Sequence, residues 1–304
     1  MGSEEFNDTL LPGGSAKPSS RKKWLVLATL LIVCFNVAMT VLFTWLALPR
    51  CQITPILPAA VPESLVEYRL PQLNLQRSLG FDKVFVVNLD SRKDRMEFFA
   101  EASDFVRFDY TRLPAVMAED ARDEAGNPSS HQACWRSHML LYDRIINTPE
   151  LNHVLILEDD IDMELDLQYL LHRGLKALNK ADPNWELLWV GHCREAAPES
   201  NLVDKDTDLY RSYNPYCTHA YAVSRSGAAK LHEIMKKFTQ PIDLMMMDAI
   251  AAGRINSYSF KQPLITQYHF NGDYSDINSD GHLNPGGHKR NSESVRTRIQ
   301  ALRI

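Results

Sequence analysis

Three consecutive carboxylates are the residues of this sequence whose types and spacing most clearly indicate chemistry. Glu158, Asp159 and Asp160 directly follow the apolar run His153-Val-Leu-Ile-Leu. Such a run predicts a buried strand, and open α/β sheets bind ligands at the carboxyl ends of strands. Adjacent like charges repel, and hard oxygen ligands favour Mg²⁺ or Mn²⁺, which can bridge nucleotide phosphates. The alternative is that the acids cap a following helix, but capping uses one side chain, so three acids favour a metal site.

A second polar group follows another predicted strand, residues 84–89. Ser91 and Asp94 have the spacing of a capping box, and a helix N-terminus offers free N–H groups and positive potential. Arg92 and Arg95 would add donors for a diphosphate, although charges three residues apart also suit a solvated helix face. The residues expected near a nucleotide are Asn88, Asp90, Arg92 and Arg95.

A third group lies on a predicted helix. Cys134, His138 and Leu141 share one helix face with Ser137 beside them, so these side chains are expected to point toward the sheet. A zinc site is poorly supported, because the sequence offers no second closely spaced pair of Cys and His. A packed helix that lends Ser137 to a ligand is the simpler interpretation. His269, after the last predicted strand, is a candidate metal ligand, although a lone histidine is more often structural.

These groups must be positioned by a sheet and its helices. Apolar runs predict strands at residues 84–89, 153–157, 187–191, 220–223 and 264–267. Helical spacing of apolar residues predicts helices around residues 134–145, 167–178 and 231–238. Strands that alternate with helices indicate an α/β fold with a largely parallel sheet buried on both faces. Residues 271–294, rich in Gly, Asn, Asp and Ser, are expected to form a mobile loop or tail that closes over a ligand.

Composition and charge exclude several classes of protein. The chain has 304 residues, of which 45% are hydrophobic and 23% charged, and a net charge of −5. These values argue against a disordered polymer and against a nucleic-acid binder. Residues 24–48 carry no charged side chain, and a 25-residue helix of roughly 37 Å would cross a bilayer core of about 30 Å. We therefore expect a transmembrane signal anchor, with a cleaved signal peptide as the alternative.

The anchor sets the predicted domain organisation. Four basic residues precede it closely and Arg50 alone follows, so the positive-inside rule leaves residues 1–23 in the cytosol and places the remainder in the lumen. Residues 49–80 are expected to form a proline-containing stem, and residues 81–304 one lumenal domain. The lumen is oxidising, and Cys193 with Cys217 is the preferred disulfide, while Cys51 could link two chains into a homodimer.

Taken in order, these groups resemble glycosyltransferase family 25, which includes lipopolysaccharide galactosyltransferases and collagen β-galactosyltransferases. The matching segments are Val84-Phe-Val-Val-Asn88-Leu-Asp90 with Arg92 and Arg95, Ala133-Cys134-Trp-Arg-Ser137-His138, and Leu155-Ile-Leu-Glu158-Asp159-Asp160, with weaker support from residues 188–191, 219–227 and 241–243. Many members carry a Gly-Glu pair where this chain has Pro128-Ser129-Ser130-His131. His192-Cys193 and Cys217-Thr-His219 suggest a eukaryotic, fungal-type branch.

The resemblance implies a GT-A fold, a Rossmann-like α/β domain that uses a nucleotide sugar and usually a divalent metal. The implied cofactor contacts are Asn88, Asp90, Arg92, Arg95, Ser137 and Glu158, and the implied metal ligands are Asp159, Asp160 and His269. An inverting displacement needs one carboxylate to take the acceptor's proton. Asp243 and Asp248 are the candidates, with Asp243 preferred, although Asp243 equally suits the capping of a helix.

The expected function is that of a type II membrane glycosyltransferase of the Golgi or ER. It would transfer a hexose or pentose from a UDP-sugar to a glycan or glycoprotein, with galactose as the preferred candidate sugar. The reaction would use Mn²⁺ or Mg²⁺. One alternative is a metal-dependent phosphohydrolase on another α/β fold, because the same carboxylates would serve that chemistry. The other is a non-catalytic lumenal assembly subunit of the same fold.

Overall fold

The structure is a computed structural model, and it describes residues 77–268 and 294–302. The predicted anchor, residues 1–76 as a whole, His269 and residues 271–293 of the predicted loop lie outside the described residues. Among the residues that are described, none of the helices combines the length and the apolar composition that a bilayer-spanning segment needs.

The described residues form one sheet with helices on both faces. The strands are β1 (Lys83–Asn88), β2 (Thr111–Pro114), β3 (His153–Glu158), β4 (Ile161–Met163), β5 (Leu187–Gly191), β6 (Leu202–Asp204), β7 (Leu209–Arg211), β8 (Ala220–Ser224), β9 (Ser257–Phe260) and β10 (Ile265–Gln267). The helices are α1 (Lys93–Val106), α2 (Ser130–Ile146), α3 (Leu167–Ala181), α4 (Arg225–Ile234), α5 (Ile242–Ala251) and α6 (Val295–Leu302). Short 3₁₀ turns span Ala118–Asp120 and Glu199–Asn201.

The sheet is mixed, which corrects the prediction of a largely parallel one. Its strand order is β2-β1-β3-β8-β5-β9-β7-β6, and β10 pairs with both β4 and β5. Strand β1 is parallel to β2 and β3, whereas β8 runs antiparallel to both β3 and β5. A continuous apolar run shows that a strand is buried on both faces, but it carries no information about the direction of its neighbours. The parallel part of the sheet is the part that carries the polar groups.

Both faces of the sheet are buried, as predicted, and β1 shows how. Val84 and Val86 point to one side, into a core formed with α1 and α3. Phe85 and Val87 point to the other side, into a core formed with α2, α4 and α5. This alternation with a period of two is what a strand produces, and it anchors β1 firmly on both sides. The strand end at Asn88 is therefore held in a fixed position.

Local signals explain where the helices begin. The Ser129 hydroxyl accepts a hydrogen bond from the Gln132 backbone N–H at the start of α2. The capping box predicted for α1 is wrong: α1 begins after Arg92 with no side-chain cap. The Asp94 carboxylate accepts hydrogen bonds from the Arg92 guanidinium instead, and these bonds lower the pKa of Asp94. The bidentate contact of Asp94 with the neighbouring guanidinium replaces the hydrogen bond that a capping box would make with a backbone N–H.

Helix α6 packs against α1 and β4 at one side of the sheet. The guanidinium carbon of Arg296 lies 3.3 Å from the centre of the Phe98 ring and 3.8 Å from that of Tyr268. The Arg296 backbone N–H donates a hydrogen bond of 3.0 Å to the Asp162 carboxylate. A cation between two aromatic faces is a favourable buried contact. It ties α6 to the strand that directly follows the three carboxylates.

Candidate active site

The three segments singled out in the sequence meet at one edge of the sheet. Strands β1, β2 and β3 are parallel neighbours, so their carboxyl ends lie side by side. A cavity of about 120 Å³ opens there, between these strand ends and helix α2. Its polar lining residues are Asn88, Arg95, Ser130, Cys134, Ser137, His138, Glu158, Asp159, Asp160 and Gln267. Six of the predicted site residues are thus brought together: Asn88, Arg95, Ser137, Glu158, Asp159 and Asp160.

Asp159 is held by two partners on β1 and α1. The Asn88 side-chain amide donates a hydrogen bond of 2.5 Å to one carboxylate oxygen, and the Arg95 guanidinium donates one of 3.1 Å to the other. Burial nevertheless raises the pKa of Asp159 above its ordinary value, against the effect of these partners. Arg95, expected at a diphosphate, lies 6% exposed against the acids.

Asp160 has one carboxylate oxygen with partners and one without. Its Oδ2 accepts hydrogen bonds from Arg95 at 3.3 Å and from Gln267 at 3.1 Å. Its Oδ1 is buried and contacts no hydrogen-bond donor among the described residues. Burial, followed by the charge of Glu158, raises the pKa of Asp160 to about 7. A buried carboxylate oxygen without a donor is costly, and a hard divalent cation is the kind of partner it suits. The donor set therefore fits the metal that the sequence implied.

Arg112, on β2, is a site residue that the sequence reasoning missed. Its guanidinium donates hydrogen bonds to the Asn88 side-chain oxygen at 2.7 Å and to the Asp90 carboxylate. With its oxygen held by Arg112, the Asn88 amide must direct its N–H₂ group to Asp159. Asp90 and Arg92 do not line the cavity, but Asp90 pairs with Arg112, which in turn holds the lining residue Asn88. A lone arginine in a four-residue strand gives no signal in a single sequence.

Ser137 lines the cavity but uses its hydroxyl locally. It donates a hydrogen bond of 2.8 Å to the Ala133 carbonyl and accepts one of 2.9 Å from the Val116 backbone N–H. The second bond crosses from α2 to the segment after β2. Ser137 is 1% exposed, so it joins two walls of the cavity mainly through these hydrogen bonds.

Glu158 faces a buried chain of polar groups on α2 and β8. Its Oε1 accepts a hydrogen bond of 2.8 Å from the Thr218 hydroxyl and lies 3.7 Å from His138 Nε2. Burial alone would raise the pKa of Glu158, but His138, His219 and Thr218 outweigh it and hold that pKa below the ordinary value. The other ring nitrogen of His138, Nδ1, lies 2.8 Å from the Tyr221 hydroxyl. Of the three consecutive carboxylates, Glu158 is thus the one whose pKa is lowered.

Asp243 and Asp248, the two candidate bases, lie on α5 outside the cavity lining. One oxygen of Asp243 accepts a hydrogen bond of 3.1 Å from the Cys217 backbone N–H, and the other accepts one of 3.0 Å from that of Leu244. Burial, followed by the charges of Glu158 and then Asp243, raises the pKa of the Cys134 thiol in the cavity wall. Asp248 is exposed and accepts a hydrogen bond from Gln240.

The predicted disulfide between Cys193 and Cys217 is confirmed, with a Cα–Cα distance of 5.7 Å. It joins the segment after β5 to the segment before β8. Cys217 has a φ angle of +67°, a left-handed conformation that is rare outside glycine. The bridge and the Asp243 carboxylate together fix this turn, and Thr218 follows it directly. The disulfide thus lies directly before the residue whose hydroxyl contacts Glu158.

Comparison with known proteins gives a family match that includes strands β1 and β3 and helix α2, which line the cavity. Residues 81–246 match the family model described as glycosyltransferase family 25 (LPS biosynthesis protein). Procollagen galactosyltransferase 2 of Mus musculus is 29% identical over 173 residues, covering 50% of this chain and 28% of the relative. A glycosyltransferase 25 family member of Drosophila melanogaster is 27% identical over 194 residues, covering 57% and 31%. The chain spans less than a third of the length of these relatives.

A third relative is described as inactive. The inactive glycosyltransferase 25 family member 3 of Homo sapiens is 26% identical over 172 residues, covering 50% of this chain and 29% of the relative. Among solved structures, a Drosophila β1,4-galactosyltransferase 7 mutant in complex with manganese, UDP-Gal and xylobiose aligns with a TM-score of 0.34 and 8% identity, covering 70% of this chain and 82% of that one. A score this low assigns no fold, so the strand order above stands as the description.

Proposed function

Because the chain belongs to glycosyltransferase family 25, we propose that it transfers a sugar from a UDP-sugar to a glycan or glycoprotein acceptor. Galactose is the preferred candidate for this sugar. The observation that carries the proposal is the buried Asp160 Oδ1, which no donor satisfies among the described residues. It lies in a cavity lined by Asp159, Asn88 and Arg95 at the carboxyl ends of parallel strands. Such edges are where open α/β sheets bind nucleotides.

A divalent metal, Mn²⁺ or Mg²⁺, would be held by Asp160 and Asp159 and would supply neutralisation of the charge that develops on a leaving nucleoside diphosphate. Arg95 holds the two carboxylates at a fixed spacing, since its guanidinium contacts both. Asn88, oriented by Arg112, fixes the second oxygen of Asp159. The chain's own contribution is a set of acids positioned before any ligand arrives.

An inverting reaction also needs an acceptor for the proton of the attacking hydroxyl. We propose Asp243 for this role in preference to Asp248, because Asp243 accepts a hydrogen bond from Cys217, the neighbour of the Thr218 that contacts Glu158, while Asp248 is exposed. Asp243 is held by two backbone N–H groups, so its carboxylate is fixed in orientation. His269, outside the described residues, stays a proposal as a further metal ligand.

The membrane arrangement is proposed from sequence. Residues 24–48 would anchor the chain as a type II protein of the Golgi or ER, with the catalytic domain in the lumen. The Cys193–Cys217 disulfide supports this placement, because such bonds persist in oxidising compartments. Homodimerisation through the span or Cys51 belongs to the same proposal.

The test is a screen of nucleotide sugars with the purified full chain in Mn²⁺. Transfer or hydrolysis of a UDP-sugar should fall by about 100-fold or more in Asp160→Asn, as expected when a key electrostatic group is lost. Asp206→Asn, an exposed aspartate away from the cavity, is the matched control. Turnover that is equal in Asp160→Asn and the control would refute the assignment.

The same screen separates the alternatives. Release of phosphate from several esters without binding of a nucleoside diphosphate would indicate a phosphohydrolase. Binding of a UDP-sugar without turnover by any acceptor would indicate a non-catalytic subunit, a possibility raised by the inactive human relative.

A further inference from the structure

Glu158, the first of the three carboxylates, and two side chains of α2 have the chemistry of a different kind of metal site. Cys134 and His138 lie one turn apart on α2, and Glu158 faces them from the end of β3. A sulfur, a ring nitrogen and a carboxylate oxygen of these residues all lie within 4.8 Å of one another. We propose that Cys134, His138 and Glu158 bind Zn²⁺ at a site separate from Asp159 and Asp160.

The donor set selects zinc over the hard cations. Thiolate and imidazole are ligands for borderline-soft metals, whereas Mg²⁺ and Mn²⁺ favour oxygen. Zinc bonds of about 2.0–2.3 Å in a tetrahedron place neighbouring ligand atoms roughly 3.3–3.7 Å apart. His138 Nε2 and Glu158 Oε1 already lie 3.7 Å apart, too far for a hydrogen bond. Side-chain adjustments of about 1 Å would complete the geometry.

The groups behind His138 orient it as a ligand. Its Nδ1 lies 2.8 Å from the Tyr221 hydroxyl, which in turn lies 2.8 Å from the Tyr142 hydroxyl. A histidine ligand commonly has its other ring nitrogen held in this way, which fixes the tautomer and aims the free nitrogen at the metal. With Nδ1 engaged by Tyr221, Nε2 is the nitrogen that faces Glu158 and Cys134.

Cys134 is available as a ligand, and the site has an open side. Of the three cysteines in the described residues, Cys193 and Cys217 form the disulfide, which leaves Cys134 as a free thiol. All three proposed ligands line the cavity. Three protein ligands with a fourth position open to a cavity match the arrangement of accessible zinc sites. Cys193, Cys217 and His219 also lie close together, but their sulfurs are bonded to each other and cannot bind a metal as thiolates.

The binding site is independent of the proposed transferase activity, and the experiment measures metal binding alone. The purified full chain, stripped of metal, is titrated with Co²⁺ as a spectroscopic substitute and then with Zn²⁺. The expected result is a sulfur-to-cobalt charge-transfer band with the visible bands of tetrahedral cobalt, both removed by Zn²⁺. Absence of the sulfur band in the wild-type chain would overturn the proposal, whatever the folding of any variant.

Variants then assign the ligands. Cys134→Ser should abolish the sulfur band and weaken Zn²⁺ binding by more than the roughly 10- to 100-fold typical when an outer partner of a ligand is removed. His138→Gln should weaken it comparably, with folding checked by circular dichroism. Asp206→Asn, an exposed substitution away from the cavity and the control, should leave the sulfur band intact. Zn²⁺ affinity that is unchanged in both Cys134→Ser and His138→Gln would refute the site.

Discussion

The side-chain amide of Asn88 donates a hydrogen bond of 2.5 Å to Asp159, a residue 71 positions further along the chain. This bond links the ends of β1 and the segment after β3 across the sheet edge. Because Arg112 holds the amide oxygen of Asn88, the orientation of the amide is determined before any ligand binds. Asn88 therefore positions a proposed metal ligand.

Replacing Asn88 tests this positioning. Asn88→Ala leaves one Asp159 oxygen without its donor and removes the Arg112 bond to the side-chain oxygen of Asn88, so the proposed metal ligand becomes mobile. We expect UDP-sugar turnover to fall by roughly 10- to 100-fold, with a rise in the Mn²⁺ concentration needed for half-maximal activity. Asn184→Ala, at an exposed turn, is the control. A variant with lower turnover but an unchanged Mn²⁺ requirement would contradict the positioning role.

Asp160 is expected to cost stability in the metal-free protein. Its folded pKa of about 7 exceeds the ordinary value of about 3.9 in an unfolded chain. Between these values the folded state holds a proton that the unfolded state has released, so this group makes stability rise as pH falls through 7. At pH 8, Asp160→Asn should be more stable than the wild type by up to a few kcal/mol.

Chelator-treated protein is the appropriate sample for that measurement, with the free energy of unfolding obtained from urea titrations at pH 8 and pH 5. The advantage of Asp160→Asn should shrink at pH 5. An advantage of the same size at both pH values would mean that ionisation of Asp160 is not its cause.

For His192 we expect the opposite pH dependence of stability. Its Nε2 lies 2.7 Å from the Phe260 carbonyl, and burial lowers the pKa of the imidazole below 6.5. In the unfolded chain the imidazole takes up a proton below about pH 6.5, whereas in the folded state it stays neutral to lower pH. Stability from this group is therefore present above pH 6.5 and lost as pH falls below it.

Thermal unfolding of wild type and His192→Gln between pH 5 and pH 7.5 checks this. The wild type should lose more stability than the variant on acidification. His232, which is more exposed and lies 3.0 Å from Asp143, supplies a comparison variant, His232→Gln. Parallel pH curves for wild type and His192→Gln would exclude His192 as the source.

The disulfide is expected to contribute to both stability and the site. Replacing Cys193 and Cys217 together by Ala opens a loop of 24 residues, which should cost about 3 kcal/mol by the chain-entropy treatment. Turnover should fall further than stability explains, because Thr218 loses its fixed approach to Glu158. Dithiothreitol should reproduce the loss in the wild type and have no further effect on the double variant. An unchanged melting temperature in the double variant would contradict the prediction.

Sequence patterns predicted which strand ends carry the candidate site, because strand ends are local features. The apolar run before Glu158 and the one before Asn88 both end in polar residues, and β1 and β3 begin and end within one residue of their predicted limits. The alternation of strands and helices also predicted a sheet covered on both sides. These properties depend on neighbours in sequence, which a single chain displays.

The features that were missed depend on neighbours in space. Strands β2, β4, β6, β7 and β9 have only three or four residues, too few to show a period. Arg112 and Gln267 contact the site from elements 24 and 107 positions away from their partners. Strand direction was also hidden, because β8 is as fully buried as a parallel strand would be. The short strands, the contacts of Arg112 and Gln267, and the direction of β8 all depend on how strands pair across the sheet. A single sequence does not show this pairing.

The contact between Arg296 and Asp162 spans 134 positions of the chain. Asp162 lies two residues beyond Asp160, so α6 buttresses the strand on which the proposed metal ligands depend. During synthesis the carboxylates emerge long before this support does, and the sheet edge stays incomplete until α6 has been made. The support that α6 gives to the strand after the carboxylates can therefore form only after every strand of the described sheet has been made.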